Sequence, residues 1–125
     1  MQLSEIVKIV NGGPPIDINS VGLDGDYVKL SEGAHLSILV QLGVTGGATT
    51  LTVEEHTTNS GAGTAIDFDY RMEDTDSGDT LGDITAIGGT GGVACSTNDN
   101  VFYVVELDAI SNASASKKKE HCFVK

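Results

Sequence analysis

The chain has 125 residues with 18 acidic against 7 basic side chains, a formal charge of −11, and 16 Gly, three Phe, three Tyr and no Trp. That sign repels a phosphate backbone rather than releasing its counterions, so no nucleic-acid partner is expected, and no apolar run approaches the about 20 residues of a membrane helix, so no membrane partner is expected either. The length suits one domain whose core must come mainly from Val, Ile, Leu and Ala, and the glycines raise the entropy cost of ordering it, so a partner subunit would add welcome stability.

Residues 1–20 are expected to form an N-terminal arm and residues 21–125 a β-domain. Within the arm, Leu3, Ile6, Val7 and Val10 have helical spacing, while the run Ile6-Val7-Lys8-Ile9-Val10 is β-branched enough to fit a strand equally well. Asn11-Gly12-Gly13-Pro14-Pro15 then breaks regular structure and favours an extended path. Leu3, Ile6, Val7 and Val10 thus form an apolar tip and are the candidate contact residues. The N-terminus shows no charged-then-apolar signal pattern, so export by its own signal is not expected.

Asp24-Gly25-Asp26 turns the chain into a short strand over residues 27–30, and Ser31-Glu32-Gly33 turns it again. In residues 34–42 the even positions Ala34, Leu36, Ile38, Val40 and Leu42 make one apolar face and Leu39 lies on the other, which predicts a central strand with its second face partly covered. Thr45-Gly46-Gly47 predicts a tight turn into a hairpin with residues 49–55, Leu51 and Val53 pointing inward and Thr50, Thr52 and Glu54 outward. Asn59-Ser60-Gly61-Ala62-Gly63 leads to residues 65–73, where Ile66, Phe68, Tyr70 and Met72 alternate with Asp67, Asp69, Arg71 and Glu73, the period of a strand with one buried face.

Between residues 73 and 100 the chain reads as a long polar loop with a short strand near Leu81 and residues 83–87. Residues 101–107 form the most apolar strand, Val101, Tyr103, Val105 and Leu107 on one face and Phe102 and Val104 on the other, which belongs at the centre of a sheet. Lys117-Lys118-Lys119 reads as a solvated loop or tail. Residues 121–125 start a last strand, expected at an edge or clipped. This spacing implies an all-β fold, an antiparallel β-sandwich or jelly-roll-like barrel of about seven to eight short strands with an N-terminal arm. Leu36, Ile38, Val40, Phe68, Tyr70, Val101, Tyr103 and Val105 are expected to share one core.

Catalytic and metal-binding patterns do not emerge. In Glu73-Asp74-Thr75-Asp76-Ser77-Gly78-Asp79 the sixth position from Asp74 is Asp79 where a calcium loop needs Gly, and the twelfth is Thr85 where it needs Glu, so a solvated acidic loop is expected. His35, His56 and His121 fall in different predicted elements without zinc spacing. No G-x-S-x-G elbow occurs, and Gly88-Gly89-Thr90-Gly91-Gly92 lacks the lysine of a phosphate loop. Paired acids for glycoside chemistry are assembled in space and leave no spacing signature, but the absence of Trp argues against a sugar cleft. Cys95, in a Gly/Ser/Thr-rich loop, and Cys122 are expected as free thiols. Neither an enzymatic activity nor a cofactor is expected.

Three segments together, Ile38-Leu39-Val40-Gln41-Leu42-Gly43-Val44-Thr45-Gly46, Asp79-Thr80-Leu81-Gly82-Asp83, and Asn98-Asp99-Asn100-Val101-Phe102-Tyr103-Val104-Val105-Glu106-Leu107-Asp108, resemble small virion structural proteins of tailed bacteriophages, of the head decoration or cement type. The resemblance implies a β-rich protein made in the host cytoplasm that joins the virion as a homotrimer. It would bind the major capsid protein at junctions between capsomers on the capsid surface and hold the shell against packaged DNA. The apolar Leu3, Ile6, Val7 and Val10, set apart by Pro14 and Pro15, are then the candidate capsid or subunit contacts. The alternative is another virion component, of tail, neck or head fibre, with host-surface or carbohydrate binding.

Overall fold

The computed structural model describes residues 2–17, 22–30, 35–44, 47–56, 60–74, 80–88, 92–95 and 100–108, and the backbone of residues 121–124. Along these residues run a helical turn α1 (Leu3–Ile6) and the strands β1 (Val28–Lys29), β2 (His35–Gln41), β3 (Thr50–Leu51), β4 (Val53–His56), β5 (Thr64–Ala65), β6 (Phe68–Met72), β7 (Thr85–Ile87), β8 (Val93–Ala94), β9 (Phe102–Asp108) and β10 (His121–Val124). All pairings are antiparallel and make two four-stranded sheets, β1-β10-β4-β5 and β2-β9-β6-β7, with a small β3-β8 pair. The all-β, sandwich-like architecture is as the sequence predicts. Ten described strands replace the expected seven or eight because two predicted runs are each cut where the chain changes sheet and β8 forms within the predicted loop.

The apolar strand β9 lies between β2 and β6, the central place its composition predicts. Its inward residues Tyr103, Val105 and Leu107, with Val101 just before it, are buried and join Leu51, Val53, Phe68, Val93 and Cys95 in one cluster. Leu36, Ile38, Val40, Tyr70, Ile66 and Met72 pack against that cluster partly buried, so the expected core residues do come together. Phe68, Tyr70 and Tyr103 stack in sequence, with ring centroids 6.4 Å and 6.1 Å apart at tilts that suit aromatic pairs.

The predicted hairpin between residues 34–42 and 49–55 does not form. β2 pairs instead with β9 over the whole register from His35↔Asp108 to Gln41↔Phe102, which places Leu36, Ile38 and Val40 beside Leu107, Val105 and Tyr103. An apolar ladder of that length outweighs a short local pairing, because cross-strand contacts on the buried face carry the energy of a sheet. With β9 on one side and no described strand on the other, β2 is an edge rather than a central strand, and Leu39 on its outer face stays 65 % exposed rather than partly covered. Its end is closed by Leu42 N–H to Val101 O at 3.1 Å and Asn100 N–H to Gly43 O at 3.0 Å, with Asn100 at φ 58, a conformation Asn tolerates.

Residues 49–56 instead split at Thr52 between β3 and β4, with Leu51 and Val53 buried as predicted. Residues 65–73 also split, β5 in one sheet and β6 in the other. The period of two runs unbroken through this corner because both sheets face the same core, so Ile66 and Phe68 each point into it. The strand near residues 83–87 begins only at Thr85, and Leu81 makes an isolated bridge to Glu73. β10 is an interior strand, paired with β1 through Val28↔Cys122 and with β4 through Cys122↔Glu55, so of the two alternatives, edge or clipped, the edge placement does not hold.

Cys95 follows β8 outside any strand, and its side chain reaches into the core. It is fully buried, and its thiol, not engaged in a disulfide, lies 3.3 Å from Val93 O. The two inward residues Val93 and Cys95 around exposed Ala94 are too short a run to announce a strand. Gly92 has φ 63, and a Cβ there would collide with Leu51 O, so the last glycine of the 88–92 run serves the approach of β8 to β3. Lys117-Lys118-Lys119, the Cys122 side chain, the turn residues Thr45 and Gly46, and the acidic residues 75–79 lie outside the described residues.

Phe68→Ala removes a buried ring from the aromatic row and should cost about 3–5 kcal/mol. Urea unfolding followed by far-UV circular dichroism measures it, and a loss below about 1 kcal/mol would mean that Phe68 is not part of the core.

Candidate functional site

The arm carries the candidate contact residues. In α1, Gln2 N–H donates to Glu5 Oε2 at 2.8 Å and Val7 N–H to Leu3 O at 3.1 Å. One such turn is far too short to persist on its own. Val7 then takes extended angles, φ −131 and ψ 149. The helical reading thus holds for one turn, Leu3–Ile6, which ends at the extended Val7, and residues 8–10 belong to no helix or strand. Leu3, Ile6, Val7 and Val10 all lie exposed, as do Ile9 and Ile16, and none belongs to the core cluster. The arm's root is attached by Asp26 N–H donating to Gly12 O at 2.7 Å, and a Cβ at Gly13 would crowd the Leu23 side chain.

The outer face of the β2-β9-β6-β7 sheet is the second distinctive surface. Cross-strand register sets His35 beside Asp108 and Ser37 beside Glu106. His35 Nδ1 meets Asp108 Oδ1 at 2.9 Å, His35 Nε2 meets Glu106 Oε2 at 2.5 Å, and Ser37 Oγ donates to Glu106 Oε2 at 2.8 Å. An imidazole can donate from both nitrogens only as the cation. The hydrogen bond to Asp108 first, and that to Glu106 second, raise the His35 pKa above its ordinary 6.5. On the far side of β9, Asp69 is the register partner of Glu106, so three carboxylates line this end of the face. At the other end Leu39 and Arg71 flank the buried Val104, and Arg71 Nη1 donates to Gly82 O at 3.0 Å.

Sequence reading did not single out this cluster. The outward positions of His35, Ser37, Glu106 and Asp108 follow from alternation within each strand. The missing signal is the register between strands some 70 residues apart, 73 between His35 and Asp108. His56 and His121, read as distant, are direct cross-strand partners in β4 and β10. The buried His56 ring meets Tyr27 edge-on, centroids 4.9 Å apart, and its Nε2 is 3.6 Å from Glu54 Oε2. A Cβ at Gly63 would strike the His56 ring, which accounts for glycine there. Among the described residues no group of three or more His, Cys, Asp and Glu is arranged to hold a metal ion, and no helix is long and apolar enough to cross a membrane.

No protein-family model, no curated protein and no solved structure matches this chain.

Because the folded pKa of His35 is raised, its contribution to stability is complete below about pH 6.5 and fades as pH rises through the raised value. The thermal midpoint of the wild type should exceed that of His35→Gln at about pH 6, and the gap should close by about pH 9. Thermal melts of both proteins at the two pH values check this, and a gap that widens with pH would contradict it.

Proposed function

We propose that the protein is a structural component of a bacteriophage virion, a decoration or cement protein that binds the head surface as a homotrimer and strengthens the shell. The observation that carries this reading is the arm, where Leu3, Ile6, Val7, Ile9 and Val10 are all exposed on a segment that stands apart from the core. Such a concentration of apolar surface on a charged chain is suited to a partner surface. The three segments that resemble head decoration proteins also converge in space. β2 and β9 pair with each other, and Gly82 N–H donates to Met72 O at 2.8 Å at the end of β6 in the same sheet.

In this reading the major capsid protein is the partner, and the role is mechanical rather than enzymatic. An oligomer touching several capsomers makes each later contact effectively intramolecular, so weak patches combine into firm attachment. The net charge of −11 favours basic capsid patches, and this part of the attachment weakens with salt while apolar arm contacts do not. Synthesis in the host cytoplasm and residence on the capsid surface accompany the role.

The second reading, a tail, neck or head-fibre component that binds host carbohydrate, draws on a shallow depression at the β6–β7 end. Tyr70, Glu73, Asp74 and Asp83 are among the residues that line it. Adding the protein to capsids that lack it distinguishes the two. Cement predicts a fixed symmetric copy number and a higher burst temperature. An unchanged burst temperature combined with lost adsorption to host cells in particles lacking the protein would replace it with the host-contact reading.

A further inference from the structure

We propose that residues 7–10 of the arm add as a strand to the edge of β2 in a second copy of this chain. The inference rests on the reading above only in taking the protein to be an oligomer. Residues 7–10 are strand material without a sheet. Val7 already has extended angles, Val7, Ile9 and Val10 are β-branched, and no described strand pairs with them. Their side chains are 45 %, 68 % and 48 % exposed, too much apolar surface to remain in water when a complementary edge is available.

The choice of edge follows from length. The outer strands of the larger sheets are β1 and β5 with two residues each, β7 with three and β2 with seven, and the β3-β8 pair offers only two-residue strands. Only β2 can pair with the whole arm segment. Native edges are usually guarded by lysine, proline or a bulge, and the β2 sequence HLSILVQ contains neither lysine nor proline. Charge agrees as well. A strand alternates its side chains, so Val7 and Ile9 would extend the row Leu36, Ile38 and Val40 while Lys8 falls on the outer face that carries Glu106 and Asp108.

The partner is a second copy rather than the same chain because the arm's root is fixed beside Leu23 and Asp26, just before β1, and β1 belongs to the opposite sheet from β2. An arm from one copy on the edge of the next is a head-to-tail contact, which closes into a ring when the rotation fits. Such an exchange gives a closed trimer a physical basis.

The test uses the full chain carrying Ile9→Pro or Val10→Pro. Consecutive strand amides point to opposite sides, so one of these two positions must donate to the partner, and proline cannot. Light scattering of the wild type should give a mass that is a multiple of 12.9 kDa, and at least one variant should fall to 12.9 kDa with an unchanged far-UV spectrum. Hydrogen exchange at β2 should accelerate in that variant. A monomeric wild type, or two variants with wild-type mass and wild-type β2 protection, would overturn the inference. The capsid reading is judged separately by burst temperature. A monomer that still strengthens particles would sink the strand exchange alone, and an arm-paired oligomer that leaves particles unchanged would sink the cement role alone.

Discussion

The inward face of β9 is the constraint on which the rest of the molecule depends. Val101, Tyr103, Val105 and Leu107 are all essentially inaccessible to solvent, and Val104 on the opposite face is nearly so. Large apolar side chains contribute about 1.5–3 kcal/mol each when fully buried. Three of them on β9 and Val101 just before it therefore approach the whole net stability of an ordinary domain, about 5–15 kcal/mol. In a chain with no Trp and few other aromatic residues, no other described strand has a comparable share. β2 and β6 take their places by pairing with this strand, and the second sheet completes the core through Val53, Leu30 and Ile66.

That arrangement has consequences at the margins. Most of the other strands are two to five residues long, and their pairings end where the chain passes from one sheet to the other. β2 is the exception, a long strand recruited by β9 on one side and left at the edge of its sheet on the other. Where its outer face would otherwise carry repelling acids, His35 sits between Asp108 and Glu106 and neutralises part of their charge. A long edge strand and an exposed apolar arm are the features on which the proposed assembly role rests.

The fold class and much of the core were legible because they depend on alternation within single strands. Phe68, Tyr103 and Val105 point inward just as their period of two requires. Pairing was less legible. The turn chemistry of Gly47 suggested a local hairpin, whereas β2 found its partner more than sixty residues away because apolar complementarity prevailed over proximity. Val93 and Cys95 escaped notice because two inward residues make no period. The arm's apolar tip was visible at once, and its conformation was not, since residues 3–10 satisfy helix and strand patterns equally while the structure forms only the single turn Leu3–Ile6. The His35 cluster needed the β2–β9 register, which neither segment specifies alone.

Native-state hydrogen exchange tests most directly whether β9 is the element that holds the two sheets together. Amides of β9 should be the slowest in the protein and exchange only through global unfolding, with a free energy equal to that from denaturant melts, while those of β7 open earlier through local fluctuation. Exchange of β9 through local opening, as fast as β7, would contradict the account.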